Sequence, residues 1–280
     1  MSRARRVVMF SVTRIVLGAL VYTLVVLAFM TVNRVLGLGA REVVRTAEAA
    51  AGALFALFVL GRYVERRPPA EWGLPRERRV ADTARGFGYG ALLLCVSMGL
   101  FAVLGWYRVR GWGVLPAGTT HEGTFGLAVL TYLFVSVHEE VLFRGIFFRV
   151  IEESGGTYVA LLASSLLFGL THVFNPNATV LSGLAIAVEA GLLLGCAYVL
   201  TRSLWFPIGI HWAWNLFEGP LFGTPVSGTQ ETHLLAGVVH GPALWTGGEF
   251  GPEGGLLVTL LGLALGGVFF VRARARGHLR

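Results

Sequence analysis

The sequence predicts an all-α fold, a polytopic integral membrane bundle of about eight transmembrane helices. Three observations carry this. Of the 280 residues, 55% are hydrophobic and 14% charged, whereas soluble domains carry roughly 25% charged residues. The mean hydropathy is +0.68. The charges are also segregated: apolar runs close to the ~18 residues of a membrane span alternate with short arginine clusters. Residues 1–280 read as one membrane domain.

The spans follow in order. A basic cap, Ser2 to Arg6, precedes span one, about Ile15 to Val32. Span two runs from about Ala47 to Leu60. Arg62 to Arg85 mixes arginines with Glu65, Glu71, Glu77 and Asp82, and Pro68, Pro69 and Pro75 interrupt it, so it reads as a surface loop with an interfacial turn at Trp72. Span three, about Gly86 to Trp106, opens with Gly86, Gly88 and Gly90; without a preceding strand this pattern reads as close helix packing, not nucleotide binding. Span four covers about Gly126 to Arg149. After a turn at Glu152 to Gly156 comes span five, about Tyr158 to Phe174. Span six, about Val180 to Leu200, carries Glu189 and a Gly191-xxx-Gly195 face. Span seven runs from about Leu204 to Phe217. A long Gly- and Pro-rich loop, Gly219 to Gly255, leads to span eight, about Leu256 to Val271. Cys95 and Cys196 both lie in apolar runs and read as small core residues.

The net charge is +7, and every basic residue is arginine. The arginines sit in short clusters between apolar runs. That pattern suits membrane topology and contact with lipid headgroups, and argues against nucleic-acid binding. With an even number of spans both termini share a side, and the arginine bias puts them in the cytoplasm of a multi-pass cell-membrane protein.

The chain is organised around Ser136 to Gly145, where His138, Glu139, Glu140 and Arg144 end an uncharged apolar run. Ionisable groups within a membrane are costly and mark function. Glu139 and His172 are equidistant from the Gly155–Gly156 turn, so they face each other at one level of a helical hairpin. His211 lies nine residues into span seven from Arg202, about 13 Å at 1.5 Å per residue. Glu139 is ten residues, about 15 Å, from Arg149. Asn215 is one turn beyond His211 on the same face. Glu139, His172, His211 and Asn215 therefore converge from three helices at one depth.

A glutamate beside a histidine can act as general base toward water and then protonate a leaving amine. His211 and the Asn215 amide can donate to the oxyanion of a tetrahedral intermediate. Arg144 stands at i+4 from Glu140, the spacing of a helical ion pair, and the two are assigned to positioning. Taken singly, an intramembrane histidine is ordinarily a packing hydrogen-bonder, and the Glu140–Arg144 pair is ordinarily structural. The shared depth across three helices is what favours a hydrolytic site.

Glu139-Glu140-xxx-Arg144, Phe168-xxx-His172 and His211-xxx-Asn215, in this order, resemble the CPBP family, which groups type II CAAX prenyl proteases with bacteriocin-processing and self-immunity relatives. The motifs cover about Val137 to Asn215. The resemblance implies an intramembrane endopeptidase in which Glu139 and His172 activate water and His211 and Asn215 form the oxyanion hole. Its substrate would be a membrane-associated peptide or protein, prenylated CAAX chains being one class. No cofactor is favoured. A Zn²⁺ ion, if used, would be held by Glu139, His172 and His211, although no HExxH helix is present. Two alternatives use the same residues differently: a non-catalytic membrane immunity or peptide-binding protein, and a small proton-coupled transporter with Glu139 and Glu189 as relay groups.

Overall fold

The computed structural model describes residues 10–37, 41–114, 118–230 and 232–280. The basic cap at Ser2 to Arg6 lies outside the described residues. The fold is a helical membrane bundle. Helix α1 spans Ser11–Val35. Helix α2, Glu42–Val59, runs on into a wide π-helical turn, Leu60–Glu65. Helix α3 spans Arg79–Val103 and is followed by strand β1, Tyr107–Trp112. Helix α4, His121–Glu140, passes through a π-helical stretch, Val141–Phe148, into α5, Arg149–His172. Helices α6, Val180–Ile186, and α7, Leu193–Thr201, are joined by π-helical Ala187–Leu192. Helix α8 is Trp205–Leu216, continued by the π turn Phe217–Leu221. Strand β2, Leu235–Val239, precedes α9, Leu256–Ala275.

Among the described residues, six helices are long and apolar enough to cross a membrane. The eight segments expected from sequence map onto them unevenly. Residues 121–172 form one nearly continuous run of helix, but Gly156 breaks it with φ 79° and ψ 171°. Only glycine takes that backbone without strain, so spans four and five lie on either side of this break. Span seven is α8 with its π turn, and it is not among those six.

Glycines fix how α3 meets α8. A Cβ on Gly86 would collide with the carbonyl of Phe206, and one on Gly90 with the carbonyl of Ile210. Gly209 approaches the α3 backbone at Thr83 in return. Helices packed this closely need small residues at the contact. Gly88 faces open space and takes no part. Gly191 and Gly195 bring the π-helical turn and α7 against Ser165 and Leu161 of α5 in the same way.

Buried ion pairs gather at one end of the bundle. Glu65 accepts from Arg14 at 3.2 Å and from Arg149 at 2.6 Å. Arg14 also reaches Glu153 at 2.7 Å. Arg202 reaches Glu152 at 2.5 Å, and the main-chain N–H of Arg280 donates to Thr157 at 2.8 Å. Arg14 near the start of the described chain and Arg280 at its end therefore share one end of the bundle.

Several sequence expectations are corrected. The expected loop from Arg62 to Arg85 is much shorter, because residues up to Glu65 stay helical around the buried Arg14–Glu65–Arg149 pairs and α3 already begins at Arg79. The turn expected at Trp72 is present as the single turn Pro69–Trp72, but the Trp72 side chain is buried, directly against Gly61. Cys95 is exposed on α3, and only Cys196 is buried; both are free thiols. The long loop after Gly219 supplies β2, which pairs antiparallel with β1.

The α3–α8 contact makes a testable contrast. Gly90→Val forces a side chain into the Ile210 backbone and should cost about 1–3 kcal/mol, read as an earlier thermal transition in detergent. Gly88→Ala should leave the transition where it is. Equal behaviour of the two variants would contradict the packing described.

Candidate active site

The site is built where α4 hands over to the π-helical stretch. A π-bulge adds a residue to the turn and shifts the facing of everything beyond it, and such bulges are frequent at functional sites. Glu139 and Glu140, the last residues of α4, point to different surroundings. Glu140 is fully buried and accepts from Arg144 Nη1 at 2.8 Å. Arg144, also fully buried, uses Nη2 to cross to the next hairpin, donating to the carbonyls of Ala190 at 3.2 Å and Gly191 at 2.9 Å. Its guanidinium lies 4.7 Å from the centroid of the Phe168 ring, a cation–π distance. One arginine thus ties the π-helical stretch, α5 and the Ala187–Leu192 turn together.

The same Glu140 carboxylate reaches α8. Its Oε1 lies 3.1 Å from Nδ1 of His211. A carboxylate shared with Arg144 accepts at that point, so Nδ1 carries the proton and Nε2 is turned toward Glu139. Nε2 lies 3.9 Å from Glu139 Oε2. That is too long for a direct hydrogen bond and is the separation that a bridging water spans. Glu139 Oε2 is buried and has no hydrogen-bond partner among the described residues.

His172, the last residue of α5, has Nδ1 at 2.8 Å from the Phe168 carbonyl. A carbonyl only accepts, so Nδ1 holds the proton and Nε2 is the bare, accepting nitrogen. Phe168 packs against both imidazoles, with ring centroids 4.7 Å from His172 and 6.2 Å from His211. Glu139, His172, His211 and Asn215 all line one cavity of about 170 Å³, several times the ~30 Å³ that a water occupies in the liquid. Glu140 and Arg144 sit behind this wall rather than in it. Glu189 also lines the cavity.

Sequence reasoning did not find three features. The Glu140–His211 bond joins residues 71 apart, and no local spacing signals it. His138, next to Glu139, stacks on Tyr22 with centroids 5.4 Å apart, and its Nε2 lies 2.8 Å from the tyrosine hydroxyl. Glu253, from the turn before α9, contributes a further carboxylate to the cavity.

Among the described residues no group of three His, Cys, Asp or Glu side chains is arranged to hold a metal ion. Nε2 of each imidazole remains open, with Nδ1 held by a carbonyl or carboxylate as is usual for a metal-ligating histidine, so it is the spacing of the donors, not their chemistry, that fails to form a metal site among the described residues.

The fold and this cluster define a class: a helical membrane protein with a buried Glu/His/His/Asn cavity. Residues 121–217 match the family model described as type II CAAX prenyl endopeptidase, Rce1-like, which supports a CPBP-family protease. The matched stretch runs from the first residue of α4 to one residue past α8, and so contains all four cavity residues. No curated protein and no solved structure matches the chain. The family implies a protease whose substrate is a membrane peptide or protein.

Removing the arginine should show what it supports. Arg144→Ala leaves Glu140 buried without a cation, a change that costs about 3–5 kcal/mol. Arg144→Lys should recover only part of this, since an ammonium cannot reproduce the planar fork of donors. Thermal unfolding in detergent reads both, and an unchanged transition for Arg144→Ala would contradict this role.

Proposed function

We propose that the protein is an intramembrane endopeptidase that hydrolyses a peptide bond in a membrane-associated peptide or protein, prenylated CAAX-type chains being the substrate class its family suggests. The observation that carries the reading is the unpartnered, buried Oε2 of Glu139, facing His211 Nε2 at 3.9 Å in a cavity shared with His172 and Asn215.

Each group has a role. Glu139 takes a proton from water, and the bare Nε2 of His172 accepts a hydrogen bond from the same water and orients it. The oxygen attacks the carbonyl carbon of the scissile bond. Charge develops on the carbonyl oxygen, and the Asn215 amide and a protonated His211 Nε2 donate to it. Glu140 accepts from Nδ1 and so keeps Nε2 aimed at that oxygen. As the intermediate collapses and the C–N bond breaks, the Glu139 carboxyl returns its proton to the leaving amine. Arg144 and Glu140 touch no reacting atom and act by holding His211. The same reading turns the arginine-rich end of the bundle, with both termini, to the cytoplasm.

Cleavage of a quenched-fluorescence, lipid-anchored peptide in proteoliposomes tests this. Glu139→Gln should lower kcat/KM by about 10²–10⁴-fold, the usual contribution of a general base. Asn215→Ala should cost about 10²–10³-fold in kcat, as loss of one oxyanion donor does. A Glu139→Gln protein that cleaves at the wild-type rate would overturn the hydrolytic reading and leave a peptide-binding protein.

A further inference from the structure

Elsewhere in this fold, deeply buried carboxylates are met by arginine. Glu140 has Arg144, Glu65 has Arg14 and Arg149, and Glu152 has Arg202. Three glutamates depart from that pattern, and all lie on the same side of the cavity. Glu189, on the Ala187–Leu192 turn, is 2% exposed, and Glu253, in the turn before α9, is 4% exposed. Both line the cavity. Glu218 stands behind them, fully buried and within electrostatic reach of both.

Their hydrogen bonds satisfy only part of this charge. Trp214 Nε1 donates to Glu218 Oε2 at 2.9 Å, and the Ser227 hydroxyl donates to Glu253. Glu189 Oε2 is buried with no partner among the described residues, and the Glu218 and Glu253 carboxyls lie against each other. The covering segment, residues 219–255, contains no Arg or Lys although the whole chain carries +7. Of the cavity-lining residues, Glu42, Glu139, Glu189 and Glu253 are acidic and none is arginine. Burying charge without a counter-charge is expensive: such a carboxyl holds a proton until a cation replaces it, and a cationic group entering the cavity would meet this wall.

We propose that Glu189 and Glu253, backed by Glu218, form a subsite for a cationic nitrogen of the substrate: a basic side chain or a free amino terminus next to the bond that Glu139 attacks. The placement beside that bond rests on the protease reading above; the preference for a cation does not. A carboxylate paired with a charged N–H donor in a water-poor cavity makes a short, strong hydrogen bond, and the wall would select by charge where the apolar surroundings cannot.

The test uses the full chain in proteoliposomes and a panel of lipid-anchored, quenched peptides. They carry lysine or its neutral analogue norleucine at each position flanking the scissile bond, with the amino terminus free or acetylated. At one position lysine should raise kcat/KM about tenfold or more over norleucine, as one charge-assisted contact predicts. If the terminal amine is the ligand, acetylation should give that loss instead. In Glu189→Gln and Glu253→Gln the ratio should fall to about one. The proposal is overturned if wild-type protein shows neither preference, or if the preference survives in both variants.

Titration of Glu139→Gln protein with the same peptides, followed by the fluorescence of Trp214 in the cavity wall, separates the two readings. If that variant still cleaves, the protease reading fails, yet equal affinity for lysine and norleucine peptides would sink the cation subsite by itself. Tighter lysine binding in Glu139→Gln that disappears when Glu253→Gln is added sustains the subsite, even if no peptide of the panel is cut.

Discussion

The structure depends on one buried carboxylate with two obligations. Glu140 satisfies Arg144 and at the same time fixes Nδ1 of His211. The arginine is the costlier partner to bury, and it is met by a carboxylate, two carbonyls and an aromatic face. Although Glu140 Oε2 and Arg144 Nε have no partner among the described residues, Nδ1 of His211 is held by Glu140 and its Nε2 looks toward Glu139. In a medium without water to repair a lost hydrogen bond, such a network leaves few alternatives, and the geometry at Glu139 follows from it.

Helix irregularity is how the chain affords this arrangement. The π-helical stretch after Glu140 separates the facing of Glu139 from that of Arg144, and the Ala187–Leu192 turn lifts Glu189 into the cavity while its carbonyls receive Arg144. Close glycine contacts then hold α8 against α3, so that His211 and Asn215 sit on a helix that cannot slide. Positioning at the site is thus built from backbone geometry and small residues as much as from polar side chains.

Much of this was legible in the sequence, for identifiable reasons. Hydropathy marks the spans because lipid enforces it. The equal distance of Glu139 and His172 from the Gly155–Gly156 turn is a property of any hairpin, and both residues line the same cavity. The i+4 relations of Glu140 with Arg144 and of His211 with Asn215 are local. What spacing could not supply is long-range: the Glu140–His211 bond, the Tyr22–His138 stack, and Glu253 folding back from a loop whose composition suggested no structure. The turn at Trp72 is legible in the prolines around it, but the burial of its side chain under Gly61 is not, because it depends on a π turn that a regular 3.6-residue periodicity does not foresee. The helices that crossed expectation, 60–65 and 79–85, each bury one carboxylate, Glu65 and Asp82, against arginines, while Arg62, Arg79 and Arg85 stay exposed.

The central claim is that Glu140 acts on peptide cleavage only through His211. A double-mutant cycle on kcat/KM with Glu140→Gln, His211→Ala and the pair measures this directly. The account predicts strong non-additivity: Glu140→Gln slows the wild-type protein but adds little to a chain already lacking the imidazole. Fully additive losses would mean that the two residues work independently, and the relay from Arg144 to the cavity would be wrong.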